Sequence, residues 1–230
     1  MTKVGVIGAM DVEVNYLCSI VENPNITEIC GLRFHSGKIG KVAVVIAQSG
    51  VGKVNMAMCA TIMVSQFHVT HLINSGIAGG MDESLRIFDI VVSSDVVHHD
   101  MDAVAFGYEP CRVPGLAVSA FPADKILIEL VKKAYGAGGF NKKVVEGRVA
   151  TGDCFVNSSE KKAIIKEKCN PFCVEMEGAA LAQVAYLSKI PFVVIRCISD
   201  MAENTDEVYH EEEAAKVSKF VVEQVLKMME

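Results

Sequence analysis

Short β-branched apolar runs alternate with segments of helical periodicity from one end of this chain to the other, and that alternation restricts it to a layered architecture of βα units. Runs such as Val42-Ala43-Val44-Val45-Ile46 are apolar on consecutive residues, as in strands covered on both faces. Strands are expected at Lys3–Gly8 and at residues 33–37, 42–49, 71–75, 89–97, 143–151, 172–175 and 191–198. Helices are expected at 11–21, with Asp11 as cap, and at 54–67, 123–135, 158–168 and 177–188, with a final stripe at Val217, Phe220, Val221, Val225 and Met228. The 54–67 helix is apolar nearly all round, so an internal position is expected for it. With 230 residues, 51% of them hydrophobic, the chain can bury one large core. No repeat, linker or low-complexity stretch divides it, so residues 1–230 read as one domain.

Charge and cysteine usage exclude several classes of function. Lys and Arg number 22 against 28 Asp and Glu, a net charge of −6, and no basic run exceeds a lysine pair. A nucleic-acid backbone therefore finds no electrostatic footprint. The apolar run at residues 4–10 is too short for a signal sequence, and no stretch approaches a membrane span, so a soluble, cytoplasmic protein without a membrane partner is expected. The eight cysteines are scattered, mostly within apolar segments, and read as reduced core residues. Cys169 and Cys173 have the wrong spacing for a redox or zinc pair. His98-His99-Asp100 with Asp102 invites a metal assignment, but adjacent histidines on an extended strand point to opposite faces. No metal is expected.

In open α/β sheets, ligands sit where strands end, and five such junctions carry unusual chemistry. Gly8-Ala9-Met10-Asp11-Val12-Glu13 would place Glu13 in a first helical turn beside free backbone N–H groups, either as an ordinary dipole-favouring acid or as a functional one. Asn74-Ser75-Gly76-Ile77-Ala78-Gly79-Gly80 reads as a glycine-rich turn after a strand, without the spacing of a dinucleotide fingerprint or a P-loop. Thr151-Gly152-Asp153-Cys154-Phe155-Val156-Asn157 presents an aromatic ring at a strand end, for packing or for stacking on a planar base. Val174-Glu175-Met176-Glu177 sets two carboxylates at the end of an apolar strand, where contact with hydroxyls would repay their burial. Arg196-Cys197-Ile198-Ser199-Asp200 ends the most apolar strand on an aspartate, suited to a cap or to a general acid.

Four of these junctions, Ile7-Gly8-Ala9-Met10 with Glu13 and those at 74–80, 174–177 and 196–200, together with Asp102-Ala103-Val104-Ala105-Phe106-Gly107-Tyr108, appear in an order and spacing that resembles the 5′-methylthioadenosine/S-adenosylhomocysteine nucleosidases of the purine nucleoside phosphorylase superfamily. The resemblance spans essentially the whole chain. It implies an α/β single-domain three-layer sandwich with a central mixed, largely parallel twisted sheet flanked by helices. It also implies hydrolysis of a ribosyl–adenine bond without a cofactor, with Asp200 as general acid at adenine N7 and Glu13 activating water. Phe155 would stack on the base while the Val156 backbone reads its edge. Glu177 would bind the ribose hydroxyls, with Glu175 beside it and Met176 against the sugar. Ser199 would place Asp200, and Arg196 would hold the acidic cluster together.

Met10, Val51 and Met176 match the family's apolar 5′ pocket. Phe106, Tyr108 and Pro114 match the segment that a neighbouring subunit lends to it, which implies a homodimer with shared active sites. The family often has a serine where Ile77 stands, so water must be positioned by other groups here. In the acidic stretch from Asp206 to Glu213, Val208 and Tyr209 are the candidates for closing the pocket. A purine nucleoside phosphorylase needs a dianion site, and Glu13 would repel phosphate. A futalosine-type hydrolase could use the same two carboxylates, and a non-catalytic nucleoside-binding module would gain nothing from them.

Overall fold

The computed structural model describes residues 2–137, 142–203 and 208–229. Along them run β1 (Lys3–Gly8), α1 (Asp11–Ser19), β2 (Glu22–Ile29), β3 (Leu32–Ile39), β4 (Val42–Gln48), α2 (Lys53–Ser65), β5 (His71–Gly80), β6 (Ile90–His98), β7 (Phe121–Pro122), α3 (Lys125–Ala137), β8 (Val144–Thr151), α4 (Ser159–Cys169), β9 (Cys173–Glu175), α5 (Gly178–Ser188), β10 (Phe192–Asp200) and α6 (Glu211–Met228). Every apolar run expected to be a strand is one. The largest change is at 71–75, which continues through the glycines to Gly80 as a single strand, so residues 74–80 are not a turn.

The sheet has the order β10-β6-β8-β9-β5-β1-β4-β3-β2, with β7 on β6 and a further pairing of β10 with β5. Parallel pairs carry its centre, β4-β1-β5-β10. Antiparallel pairs extend it through β3 to β2 and join β6 to β10. The central strands β5 and β10 are buried almost residue for residue, which explains the continuous apolar run at residues 192–195 in β10. Strand β2 escaped the sequence reading because Glu22–Ile29 is an exposed polar edge strand containing Pro24, and an edge tolerates proline.

Five of the helices form two groups, α1–α6–α3 and α2–α5, both packed on the sheet. Helix α2 is not internal: Met56, Cys59, Ala60, Ile62 and Met63 are buried, while Val54 and Met58 face outward. Its uniform hydropathy hid the direction of its buried face. Helix α6 begins six residues before the expected stripe, and its buried face is Ala214, Ala215, Ser218, Val221, Val222, Val225 and Leu226. Val217 only borders that face, and Met228 is exposed. Helix α1 is capped at Met10, with Asp11 its first helical residue. Because β1, β5 and β10 are parallel, their C-terminal ends emerge side by side. That places residues 8–13, 76–79 and 196–200 around one hollow.

Candidate active site

Glu13 is drawn into this hollow by the chain that precedes it. Its Oε2 accepts from the backbone N–H of Ala9 at 2.7 Å and of Met10 at 3.0 Å, and its Oε1 accepts from the Ile77 N–H at 3.2 Å. It satisfies helix-terminal donors, as a first-turn acid does, while also facing the cavity. Burial raises its pKa, against the lowering effects of Arg196 and the three amides. The close approach depends on Gly76, where a Cβ would lie 2.5 Å from Glu13 Oε1 and 2.6 Å from Arg196 Nη1. A strand glycine thus leaves room for two charged side chains above it.

Arg196 is fully buried in the middle of β10, which demands partners. Its Nη2 donates to Asn74 Oδ1 and to Glu175 Oε2 and lies 3.8 Å from Glu177 Oε2. Glu175 is saturated. It accepts from Thr151 Oγ1, from the Glu177 N–H at 3.0 Å and from the Gly178 N–H at 2.8 Å, besides Arg196. It lines the cavity, yet its oxygens cap α5 and brace the arginine, so its contacts are internal rather than directed at a ligand.

Among the described residues, Glu177 is held by a single backbone donor, the Gly52 N–H at 2.8 Å. Burial, followed by the neighbouring Glu175 charge, pushes its pKa up to about 7 despite Arg196. Two carboxyls two residues apart therefore stand in opposite conditions, Glu175 pulled below its ordinary value by Arg196 and its hydrogen bonds despite burial, and Glu177 free to hold or release a proton. That split is how one site keeps one acid ionised and another available.

On the opposite side, Asp200 ends β10 just after a register shift. Its Oδ2 accepts from Ser199 Oγ at 2.8 Å and its Oδ1 from the Ala202 N–H at 2.9 Å. Glu13 and Asp200 share a cavity of about 180 Å³, whose walls include Met10, Val51, Phe155, Met176 and Tyr209. Phe155 is exposed at the mouth and meets Tyr209 edge-on, ring centroids 6.1 Å apart. Val156 is buried and lines an adjoining recess with Gly79, Val174 and Asp200.

The structure thus gathers Met10, Glu13, Val51, Ile77, Phe155, Glu175, Met176, Glu177, Ser199 and Asp200 on one cavity, with Arg196 behind them. Phe106, Tyr108 and Pro114 lie away from it, and Phe106 is 85% exposed. Asp206 falls outside the described residues. Tyr209 lines the cavity, whereas Val208 is exposed. Sequence reasoning missed Ala9, Ala78 and Val174 as lining residues, because small side chains beside a pocket look like any strand end. His98 bonds Gln183 at 3.0 Å, and the His99 ring lies against Gly152. Among the described residues no cluster of metal-ligating side chains occurs, and no helix is long and apolar enough to cross a membrane.

This α/β chain belongs to the phosphorylase superfamily, whose family model matches residues 3–228. Within it the chain belongs to the 5′-methylthioadenosine/S-adenosylhomocysteine nucleosidase family. It is 43% identical over 207 residues to the nucleosidase of Shewanella denitrificans, covering 90% of this chain and 89% of that one. The Colwellia psychrerythraea nucleosidase in complex with adenine superposes with a TM-score of 0.93 at 39% identity, covering 98% and 95% of the two chains. The Neisseria meningitidis nucleosidase in complex with methylthio-immucillin-A gives 0.94 at 34% identity, covering 99% and 100%. A futalosine hydrolase of Helicobacter pylori shares the fold at 29% identity, with a TM-score of 0.91 over 99% and 98%.

Proposed function

We propose that this chain hydrolyses the N-ribosidic bond of 5′-methylthioadenosine and S-adenosylhomocysteine, releasing adenine and the 5′-thioribose. The observation that carries the assignment of roles is a pair of buried carboxylates, Glu13 and Asp200, fixed by different donors on the walls of one cavity. Glycosyl cleavage through an oxocarbenium-like transition state needs a proton on the leaving base and a nucleophile at the anomeric carbon. Asp200, oriented by Ser199, delivers the proton to adenine N7. Glu13 takes a proton from the attacking water, and burial raises its proton affinity toward that task. Its steadying donor from β5 is the Ile77 backbone N–H. Glu177 accepts from the ribose hydroxyls, and Phe155 stacks on the base.

Water rather than phosphate is the acceptor. Arg196 is committed to Glu175 and Asn74, residues 75–80 bring no cation, and Glu13 stands where a dianion would have to sit. The exposed apolar side chains Val54 and Met58 on α2, with Val104 and Phe106 on the 104–106 turn, support a homodimer. In it Phe106, Tyr108 and Pro114 complete the partner's 5′ pocket. A cytoplasmic location accords with this reading.

The test is adenine release from methylthioadenosine, with futalosine in parallel, in the presence and absence of phosphate. Asp200→Asn is expected to lose release by ~10²–10⁴-fold while binding a non-hydrolysable analogue within about tenfold. Glu13→Gln is expected to lose it as well. Phosphate-dependent release of ribose 1-phosphate identifies a phosphorylase instead, and release from futalosine alone moves the substrate to that nucleoside.

A further inference from the structure

The amino terminus of α2 has no capping side chain of its own. Its N-cap is Gly52, at φ +99°, and the helix begins at Lys53. Helix-terminal N–H groups need acceptors from outside the helix, and two carboxylates from distant parts of the chain supply them. Glu177 takes the Gly52 N–H at 2.8 Å, and Asp153 Oδ1 takes the Lys53 N–H at 2.9 Å. Asp153 is in turn tied to the end of β6, its N–H donating to Asp100 Oδ2 at 3.1 Å. The Lys53 ammonium closes the circuit by donating to both Asp100 oxygens, at 2.8 and 2.7 Å. The His99 ring against Gly152 and the His99 N–H on the Thr151 carbonyl, at 2.9 Å, fix the same two segments to each other.

We propose that Lys53, Asp100 and Asp153 form a positioning unit for the reaction, a closed ring of hydrogen bonds that sets the separation between Phe155 and Glu177 across the pocket. Asp153 lies two residues before Phe155, and Gly52 adjoins Lys53 while holding Glu177. The first turn of α2 therefore carries the ribose side of the site on one N–H and the base side on the next. This rests on the reading that Phe155 stacks on the base and Glu177 holds the ribose hydroxyls. The Lys53–Asp100 pair is partly exposed, with side chains 21% and 30% accessible, and such pairs contribute little to stability by themselves. Their contribution here is geometric: contacts 47 and 100 residues apart in sequence bring three loops to one spacing. Gly52 suits the junction because its positive φ disfavours a side chain and a Cβ there would come within 3.2 Å of Asp153 Oδ1.

Two measurements on Asp100→Asn, Lys53→Met and their double variant test the unit. Contacts to base and ribose that are made alike in ground and transition states affect KM and spare kcat, so each single variant is expected to raise KM for methylthioadenosine about five- to tenfold with kcat within about twofold. The double variant is expected to be no worse than either single, because the residues act as one unit, and Lys53→Arg is expected to retain most of the wild-type KM. Backbone hydrogen exchange is expected to quicken at Gly52, Lys53 and Asp153 in each variant while the amides of β5 and β10 keep their protection.

An unchanged KM, or single-variant effects that multiply in the double variant, overturns the positioning role. Unchanged exchange at the three amides overturns the ring itself. A wild-type protein that releases no adenine from methylthioadenosine overturns the reading of the site instead. The exchange results and adenine affinity, measured calorimetrically in the same variants, then decide the positioning unit without reference to turnover.

Discussion

Gly76→Ala is a minimal change that reaches both Glu13 and Arg196 of the proposed catalytic cluster at once. Gly76 is an ordinary strand residue of β5, so alanine meets no backbone penalty there and any effect comes from space. Its methyl carbon would lie 2.5 Å from Glu13 Oε1 and 2.6 Å from Arg196 Nη1. Relieving the first contact to an ordinary separation of about 3.4 Å requires a shift of roughly 0.9 Å. Neither neighbour can retreat at no cost. Glu13 is fixed by three backbone donors, and Arg196 is fully buried between Asn74 and Glu175. Overpacking of this kind costs ~1–3 kcal/mol of stability. If Glu13 places the water as proposed, a shift of nearly 1 Å costs on the order of 10²-fold in rate. The assay is kcat/KM for adenine release from methylthioadenosine, with urea unfolding of the same preparation to show that the variant is folded. A folded Gly76→Ala protein within threefold of wild type would mean that Glu13 tolerates displacement, and the tight-placement argument would fail.

Glu177 predicts a pH-dependent stability. Its folded pKa of about 7 lies above the ordinary 4.5, so between those values the folded state binds a proton that the unfolded chain has released. Its stabilising contribution is complete below pH 4.5 and lost as pH rises through 7, about 3 kcal/mol in all. Urea unfolding of wild type and Glu177→Gln from pH 4.5 to 8 should show the wild type losing that much relative to the variant, whereas parallel curves would contradict the buried-carboxyl account. If the 5′ pocket is shared between subunits as proposed, Phe106→Ala should weaken methylthioadenosine more than adenosine by about 5- to 150-fold, the equivalent of ~1–3 kcal/mol of apolar contact. Mixing that chain with an Asp200→Asn chain should regenerate one intact site per heterodimer. Activity no greater than the sum of the components, after verified subunit exchange, would place Phe106 outside a partner's pocket.

The sequence by itself determined the elements whose information is local. Strands β4 and β10 announce themselves through the consecutive apolar runs at residues 42–47 and 192–195, which burial on both faces requires, and helix α3 shows its stripe because one face alone is buried. Glu177 and Asp200 were legible for the complementary reason, since a charge ending an apolar run is costly without a task or a partner, and Glu13 stood out as an acid in a first helical turn.

Tertiary structure alone decided what those residues touch. Strand β2 is polar and visible only through its pairing with β3. Residues 74–80 look like a turn because glycine is the signature of turns, yet here the glycines clear space within a strand for Glu13, Arg196 and Asp200. Glu175 and Glu177 are alike in sequence. They differ because Thr151, Gly178 and Arg196 donate hydrogen bonds to one, while the other accepts from the Gly52 N–H and lies 3.8 Å from Arg196. Helix α2 hid its buried face, since its outer residues are as apolar as its inner ones. A hydrogen bond between residues 100 positions apart leaves no period in the chain. Local pattern records which surfaces must leave water, and pairing across the sheet selects the partners that replace it.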